Sequence, residues 1–326
     1  MPKPTKRVLV TGATGFIGAN LARRLLSDGH EVHLLVRPAE TRWRIAAIAD
    51  RVHLHEVTLE QRALVDRVVR DVDPHWVFHL AAYGAYSSQR DVQTIVTTNF
   101  NGTVNLLEAC LATDFEAFVN AGSSSEYGFK DHAPLESELT DPNSHYAVSK
   151  AAATLYCRFT ALQAERHVST LRLYSVFGPW EDPTRLLPTL VVYGLRGELP
   201  PLVSPGIARD YVYVDDAIEA FLLTAAASEV ARGSIFNVGT GIQTTLAQLV
   251  EMVREAFGIT VEPQWGSMPD RAWDTDIWVC DPTLISASIG WKPARSLSED
   301  LRAFARWLSS DDVLRRHYET SRDLPR

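Results

Sequence analysis

Residues Thr11–Gly18 read TGATGFIG, and this stretch decides the fold. Its three glycines follow an apolar run, Arg7–Thr11, that is typical of a buried strand, and they lead into a helical pattern over Phe16–Asp28. Glycine permits a tight turn and a close approach of the backbone to a pyrophosphate, while the free N–H groups of the following helix attract the anion. A glycine triplet alone is also compatible with an ordinary turn, so its interpretation depends on the elements that follow.

Apolar runs and helical patterns alternate as far as about Ser175. This alternation predicts a Rossmann-type α/β fold, in which a doubly wound parallel sheet carries helices on both faces and binds ligands at the carboxyl ends of its strands. We therefore interpret Thr11–Gly18 as a dinucleotide-binding loop. Further strands are expected at Glu31–Val36, Val52–Val57, Trp76–Ala81, Ala117–Ala121 and Ser169–Tyr174, and further helices at Thr58–Asp71, Asn99–Thr113 and Tyr146–Arg166.

The pattern changes beyond Ser175, where proline and glycine become frequent and short strands mix with helices. This change indicates a smaller, mixed α/β C-terminal lobe that holds the substrate, with no flexible linker before it. We predict a dinucleotide-binding domain of residues 1–174 and 212–240, and a substrate domain of residues 175–211 and 241–326.

Composition narrows the classes of partner. The chain has 326 residues, a formal net charge of −8 and no block of like charges, which disfavours nucleic acid or an anionic membrane as the main partner. Three widely spaced cysteines form neither a metal cluster nor a disulfide framework, so we predict no metal site and a reducing cytoplasm. We see neither a signal peptide nor an apolar run long enough to cross a bilayer.

The end of the second predicted strand distinguishes NAD from NADP. An acid there would hydrogen-bond the ribose 2′-hydroxyl of NAD, whereas an arginine accommodates the 2′-phosphate of NADP. Arg37 ends this strand, and Arg42 and Arg44 follow it. We predict NADP as the cofactor, with NAD as the less favoured alternative. If the arginines do not bind a phosphate, they are solvated charges of a surface loop. Glu56 ends the third strand and is placed to meet the adenine.

Tyr146 and Lys150 have a Y-x-x-x-K spacing at the start of a predicted helix, which puts both side chains on one helix face. A lysine ammonium beside a phenol favours the phenolate and lowers the tyrosine pKa toward the working range. Tyrosine can then exchange the proton of a sugar hydroxyl while a nicotinamide ring exchanges the hydride. The spacing also occurs by chance on ordinary helix surfaces, and it gains weight from its order after the glycine loop.

The chain resembles the extended short-chain dehydrogenase/reductase family, in particular its nucleotide-sugar epimerase/dehydratase/reductase group. The resemblance covers nearly the whole length. It rests on motifs that occur in family order, namely TGATGFIG, HLAA at 79–82, Asn99 with Gly102 and Thr103, YAVSK at 146–150, FGP at 177–179, RDYVYVDD at 209–216 and IGWKP at 289–293.

The resemblance implies a Ser-Tyr-Lys catalytic site, a bound nicotinamide cofactor and a nucleoside-diphosphate sugar as substrate. It also implies a homodimer, paired through the helices Asn99–Thr113 and Tyr146–Arg166. The catalytic residues are then Ser123, Tyr146 and Lys150. The cofactor residues, with Tyr146 and Lys150 among them, are Gly12, Thr14, Gly15, Phe16, Ile17, Gly18, Arg37, Glu56, Val57, Leu80, Ala81, Ala82, Asn99, Tyr174 and Val176. The substrate residues are Tyr83, Ser124, Ser125, Arg209 and Arg271.

The stretch SSSEYG, residues 123–128, separates the activities within this group. Family 4,6-dehydratases carry an acid–base glutamate two residues before the tyrosine of the closing Tyr-Gly pair, and that position is Ser125 here. Glu126 comes one place later, where alternation along an extended chain turns its side chain away from the site. A local bulge would restore it. We therefore expect no dehydratase acid.

Ser175 is a second departure from many epimerases and dehydratases, which carry asparagine there; reductases of 4-keto sugars resemble this chain at both places. We predict hydride transfer at C4 of a nucleoside-diphosphate hexose, as 4-epimerisation or as 4-keto reduction. A 4,6-dehydratase is the alternative within the group. A non-catalytic NADP-binding regulator and a reductase of small carbonyl compounds are the alternatives from other classes.

Overall fold

A seven-stranded parallel sheet in the order β3-β2-β1-β4-β5-β6-β9 forms the larger part of the protein. A computed structural model describes residues 4–38, 40–86, 88–227, 232–268 and 275–321. The predicted substrate residue Arg271 lies outside these ranges. The strands are β1 (Arg7–Thr11), β2 (Glu31–Val36), β3 (His53–Glu56), β4 (Trp76–His79), β5 (Ala117–Ser123), β6 (Val168–Leu173), β7 (Ser175–Phe177), β8 (Ala208–Tyr213), β9 (Ile235–Val238) and β10 (Gln243–Thr245).

Helices cover both faces of this sheet and build the smaller lobe, as the strand–helix alternation predicts. Three short turns interrupt them: 3-10 turns at Ala46–Arg51 and Ser124–Tyr127, and a π-helical turn at Thr97–Asn101. The α-helices are α1 (Phe16–Ser27), α2 (Arg62–Val72), α3 (Val92–Val96), α4 (Gly102–Leu111), α5 (His145–Gln163), α6 (Leu186–Leu195), α7 (Val214–Ala226), α8 (Leu246–Phe257), α9 (Thr283–Ile289), α10 (Leu297–Ser309) and α11 (Asp312–Thr320).

The strand order reverses at β1, which pairs in parallel with β2 on one side and with β4 on the other. Connections from β1 and β4 therefore leave the sheet on opposite faces, and a crevice opens between their carboxyl ends. The glycine loop follows β1 at this point. The predicted Rossmann-type fold is confirmed, and the chain places its ligand loop where such sheets bind dinucleotides.

The smaller lobe contains a three-stranded sheet in the order β10-β8-β7. Strand β10 pairs with β8 in the antiparallel direction, and β7 pairs with β8 in the parallel direction. Its own apolar core joins α6, α8, α10 and α11, with Leu190, Leu249 and Phe304 fully buried. The chain returns from this lobe to the main sheet at β9. The predicted boundaries between the two domains stay a prediction.

Several predicted element bounds change in the structure. Helix α2 begins at Arg62 rather than Thr58, because the Gln61 side chain accepts a hydrogen bond from the Thr58 N–H and holds a turn there. The predicted helix Asn99–Thr113 is a π-helical turn followed by α4. Within the described part of the chain, no helix is long and apolar enough to cross a membrane.

Candidate active site

The glycine loop fits a dinucleotide by its shape. Gly12 has φ +72°, and a Cβ there would lie 2.5 Å from the Leu80 carbonyl carbon. A Cβ on Gly18 would lie 2.4 Å from the Gly12 carbonyl oxygen. Gly15 precedes α1, and no side chain caps the first turn of this helix. The loop therefore presents unoccupied backbone N–H groups at a helix N-terminus, the arrangement that holds a pyrophosphate.

A chain of hydrogen bonds runs through the buried His79 ring. Its Nδ1 lies 2.7 Å from the Thr11 hydroxyl and its Nε2 lies 2.9 Å from the Thr103 hydroxyl. The Thr11 oxygen accepts from Ala81 N–H, and the Thr103 hydroxyl donates to the Asn99 carbonyl. These directions assign the proton of the neutral ring to Nε2. Burial lowers the pKa of His79 to about 3, so the ring is a structural bridge and takes no part in acid–base chemistry.

Asn99 occupies the π-helical turn and is fully buried. Its amide accepts from Tyr83 N–H at 2.7 Å and donates to the Tyr83 carbonyl at 2.8 Å, which clamps the loop after β4. The amide also donates to the Ser149 hydroxyl at 2.9 Å, and that hydroxyl donates to the Tyr146 carbonyl. Asn99 thus joins the loop after β4 to the helix that carries Tyr146 and Lys150. Its predicted contact with the cofactor stays a prediction.

Ser123, Ser125 and Tyr146 meet at the carboxyl end of β5. The hydroxyl oxygens of Ser123 and Ser125 lie 2.6 Å apart. The Ser123 side chain lies near the Tyr146 phenol and acts to lower its pKa, against the larger effect of burial. Ser144 starts α5 by accepting from Ala147 N–H at 3.1 Å, and this cap sets the first turn on which Tyr146 lies.

Glu126 points into the protein interior, as predicted, although residues 124–127 form a 3-10 turn and not the extended chain on which the prediction relied. It is fully buried, and its carboxylate accepts from Arg172 Nε at 2.8 Å, from the Thr154 hydroxyl and from Ser123 N–H. Since its charge is matched by Arg172 and its oxygens are bonded to β5 and α5, Glu126 is held as part of the core. The side chain beside Ser123 is that of Ser125.

Burial raises the pKa of Tyr146 to about 12, and the Ser123 side chain and the Arg185 charge lower it only in part. Lys150 is also buried, and burial lowers its pKa. We expected the lysine charge to bring the tyrosine pKa down. In the protein alone, desolvation of the phenolate and the Glu126 charge outweigh the effects of Ser123 and of the Arg185 charge, so the prediction was wrong for the protein without its ligands.

A groove runs from the carboxyl ends of β5 and β6 to the small lobe. Its narrow inner part lies between Ser124, Tyr174 and Trp278. The outer part has a volume of about 660 Å³ and is lined by residues 129–132 and 275–277. Lys130 and His132 line both parts, and the sequence analysis did not single them out; Lys130 Nζ lies 3.3 Å from Glu138, and His132 lies within 3.0 Å of Asp131 and Glu138. Neither lining includes Tyr146, so the groove lies beside the predicted catalytic residues.

Arg209 lies on β8 at the small-lobe side of the groove. Its guanidinium is 5.4 Å from the centre of the Trp278 ring and donates to the Ala208 carbonyl at 2.7 Å. The neighbouring Asp210 is buried and accepts from the backbone N–H groups of Thr240, Gly241 and Cys280. Asp210 thereby ties β8 to the loops around it, and this fixes the place of Arg209.

Arg185 is a cation near Tyr146, the predicted catalytic tyrosine, and the sequence analysis missed it. It precedes α6, donates to the Ala85 carbonyl at 2.9 Å and lies 4.7 Å from the centre of the Tyr86 ring. Its charge lowers the pKa of Tyr146. Nearby, burial raises the pKa of Glu181 to about 8, so that this carboxyl is protonated at neutral pH. Nothing in the sequence around Arg185 marks its proximity to Tyr146.

Arg44 has a structural task that differs from the predicted contact with a 2′-phosphate. Its guanidinium donates to the Trp180 carbonyl at 2.7 Å and to the Thr14 carbonyl at 3.4 Å. Asn20 of α1 donates to the Pro179 carbonyl at 2.8 Å. These contacts fix the turn after β7 against the glycine loop. Arg42 forms an ion pair with Glu56, and Arg37 forms one with Glu40.

The remaining predicted cofactor residues lie at the carboxyl edge of the main sheet or just beyond it. This edge surrounds the crevice between β1 and β4, and their contacts with a cofactor stay predictions. They are Phe16 and Ile17 at the start of α1, Val57 after β3, Leu80, Ala81 and Ala82 after β4, Tyr174 after β6 and Val176 on β7.

Comparison with known proteins agrees with this geometry. The model of the NAD dependent epimerase/dehydratase family matches residues 8–239. A UDP-glucose 4-epimerase of Mycolicibacterium smegmatis is 31% identical over 90% of this chain and 96% of its own length. These matches cover the glycine loop, the Tyr-Lys helix and both lobes.

Two solved structures are similar over nearly the whole chain. The UDP-glucose 4-epimerase of Thermotoga maritima, solved with UDP-glucose, has a TM-score of 0.83 and 28% identity and covers 93% of this chain and 98% of its own. The UDP-glucuronic acid 4-epimerase of Bacillus cereus, in complex with UDP-glucuronic acid and NAD, has a TM-score of 0.81 and 25% identity, covering 93% and 99%. The complex with NAD gives no support to the predicted preference for NADP.

Proposed function

Because the chain belongs to the NAD dependent epimerase/dehydratase family, we propose that it inverts the configuration at C4 of a nucleoside-diphosphate hexose. A nicotinamide cofactor, when bound, supplies the hydride acceptor and donor. The glycine loop and the N-terminus of α1 would hold its pyrophosphate. The observation that carries the proposal is the meeting of Ser123, Ser125 and Tyr146 at the ligand-binding edge of the sheet, while the neighbouring Glu126 carboxylate is paired with Arg172.

The protein residues handle the C4 oxygen and its proton. Ser123 would hydrogen-bond the C4 oxygen and orient it toward the Tyr146 phenol. Tyr146 would take the hydroxyl proton as the C4–H bond breaks, and return it when C4 is reduced again from the other face. Asn99 holds the Tyr146 helix through Ser149. Because burial raises the pKa of Tyr146 to about 12, the phenolate that takes this proton would form only with the positive charge of an oxidised nicotinamide ring beside it.

Assay with sugar nucleotides tests the proposal. We expect incubation with NAD and UDP-glucose, or its C6-oxidised or N-acetylated relatives, to give the C4 epimer with no net change of cofactor. A product lighter than the substrate by one water, detected by mass spectrometry, would show that the protein is a 4,6-dehydratase and that Glu126 reacts. Stoichiometric oxidation of NADPH by a 4-keto sugar would show a reductase. Binding of the cofactor and the sugar nucleotide without formation of a product would indicate a non-catalytic regulator.

Arg185 favours a second, narrower candidate, a substrate with a carboxylate at C6. The charge of the guanidinium lowers the pKa of the Tyr146 phenol. The guanidinium is held in place by the Ala85 carbonyl and the Tyr86 ring. A hydrogen bond to a charged group contributes about 1.5–3 kcal/mol. We expect Arg185→Gln to lower kcat/KM for UDP-glucuronate by roughly 10–150-fold and to change that for UDP-glucose only a few-fold. Equal losses on both substrates would refute a carboxylate contact.

The predicted preference for NADP rests on Arg37, since Arg44 is bonded to backbone carbonyls and Arg42 to Glu56. A 2′-phosphate would compete with Glu40 for Arg37. The ion pair between Arg37 and Glu40 is exposed and contributes at most about 1 kcal/mol. We expect NADPH to bind more tightly than NADH by about tenfold or less, and Arg37→Ala to remove the difference. Fluorescence titration measures both affinities, with Arg62→Ala on α2 as the control. Equal affinities in the unmodified protein would reject the preference.

An apolar face of α5 supports the predicted homodimer. Val148, Leu155, Phe159 and Leu162 recur at helical spacing and are 51–60% exposed. Contiguous apolar surface of this kind marks interaction sites, and we propose that a second copy covers it. Light scattering at micromolar protein should give twice the chain mass, and Phe159→Glu with Leu162→Glu should give the monomer. A monomer mass for the unmodified protein would reject the dimer.

The cysteines support the predicted cytoplasmic location. Cys110, Cys157 and Cys280 are all free and buried, and free thiols persist in a reducing compartment. We propose that the protein works in the cytoplasm. Fractionation of its source cells, with recovery outside the cytoplasmic fraction, would contradict this.

A further inference from the structure

Three metal-ligating side chains converge at the amino ends of β2 and β3, at the edge of the main sheet. Glu31 and His33 are two residues apart on β2 and therefore lie on one face. His53 pairs directly with His33 across the strands. His33 Nε2 lies 3.1 Å from Glu31 Oε1, and His53 Nε2 lies 3.9 Å from the same oxygen.

These distances are close to those of a coordination sphere. One ligand atom from each of the three residues lies within 4.8 Å of the others. Around a tetrahedral zinc ion, with bonds near 2.0–2.2 Å, ligand atoms stand about 3.4 Å apart. His33 is 8% exposed and fixed, whereas the side chains of His53 and Glu31 are 61% and 43% exposed. The His53 ring stacks on the His33 ring with 4.5 Å between centres, so the exposed His53 and Glu31 side chains must turn about their side-chain bonds to complete the geometry.

A fourth residue orients the buried ligand. His33 Nδ1 lies 3.0 Å from His55 Nε2, on the same face of β3 as His53. If His33 donates from Nδ1, its Nε2 lone pair points at the other ligand atoms. Metal-binding histidines usually donate their second ring N–H to such an outer partner, which fixes the tautomer.

We propose that Glu31, His33 and His53 bind one divalent transition-metal ion, with zinc as the best fit and water in the fourth position. Two imidazoles and one carboxylate are a ligand set typical of zinc. The site lies at the opposite end of β2 from the carboxyl edge that carries the glycine loop, so its ion takes no part in the proposed epimerisation. It would join the edge strand β3 to β2. The cysteine pattern gave no sign of it, because the histidines meet only through strand pairing.

Calorimetric titration of the untagged full-length protein with zinc chloride, after treatment with a chelator, tests the proposal. We expect one equivalent to bind with a dissociation constant at or below the micromolar range, and cobalt(II) to give the visible absorption of a tetrahedral site. His53→Ala should weaken binding at least about 100-fold, since it removes a ligand, and His55→Ala should weaken it about 10–100-fold. Both side chains are partly exposed, so the variants should fold.

The matched control is His132→Ala. His132 is another exposed histidine, within 3.0 Å of two carboxylates, Asp131 and Glu138. Its loss should leave the affinity and stoichiometry of zinc unchanged. The proposal is overturned if the unmodified protein binds no zinc, if His53→Ala binds as tightly as the unmodified protein, or if binding disappears in His132→Ala instead.

Discussion

Replacing Tyr146 with phenylalanine should lower kcat by at least about 10²-fold, the usual contribution of a positioned acid–base group. The substitution removes only the phenol oxygen, which lies near the Ser123 side chain. The backbone contact of residue 146 with Ser149 remains. Initial rates with the active sugar nucleotide, together with cofactor binding by fluorescence, measure the two effects separately. Cofactor affinity should change little, because the glycine loop is untouched.

Ser125→Ala is the control for this experiment. Ser125 bonds to the Ser123 hydroxyl, yet the proposed mechanism gives it no proton to transfer. We expect its rate to fall about tenfold or less, the effect of one neutral hydrogen bond. Turnover of Tyr146→Phe close to that of the unmodified enzyme would place the acid–base group elsewhere.

Replacing Arg172 with methionine should destabilise the protein by about 3–5 kcal/mol. The side chain is 3% exposed and bonds at 2.8 Å to Glu126, which has no exposed surface. Removing the arginine leaves a buried carboxylate without its counter-charge, and desolvation then acts against the folded state. The apparent melting temperature should fall by roughly 4–7 °C at neutral pH.

Two further variants isolate the charge effect. Adding Glu126→Gln to Arg172→Met removes the unpaired charge and should restore part of the lost stability. Arg232→Met breaks a surface pair with Glu165, whose side chains are 52% and 76% exposed, and should change the melting temperature little. Equal losses for Arg172→Met and Arg232→Met would mean that burial of the Glu126 pair adds nothing to stability.

The main sheet could be predicted from local pattern because its strands are short apolar runs between glycine-rich or polar turns. The predicted bounds of β1 and β2 agree with the structure. The π-helical turn before α4 was missed, since it depends on the contact of Asn99 with Tyr83 from another part of the chain. No spacing of side chains along the sequence reports such a contact.

Residues of the candidate site divide in the same way. The inward orientation of Glu126 is a local property, but it arises from the 3-10 turn Ser124–Tyr127, in which Glu126 accepts from the Ser123 N–H, and not from alternation in an extended chain. The positions of Arg185 and Lys130 depend on how the small lobe packs on the sheet, and no local pattern contains that information. Arg44 was interpreted as a phosphate ligand from its place after β2. The carbonyls of Thr14 and Trp180, which bind it, come from segments that only the fold brings together.

Strand β9 is synthesised long after β6, the strand that it pairs with, and this affects folding on the ribosome. This strand pairs with β6 only after the chain from Ser175 onward has been synthesised, so the nascent sheet has an unpaired edge at Val168–Leu173 meanwhile. Asn237 of β9 also accepts the hydrogen bond of the Tyr127 hydroxyl, next to Ser123–Ser125. The serine turn therefore gains its last support from a strand made more than a hundred residues later. Chains released before this strand should be inactive and should depend on chaperones to stay unaggregated.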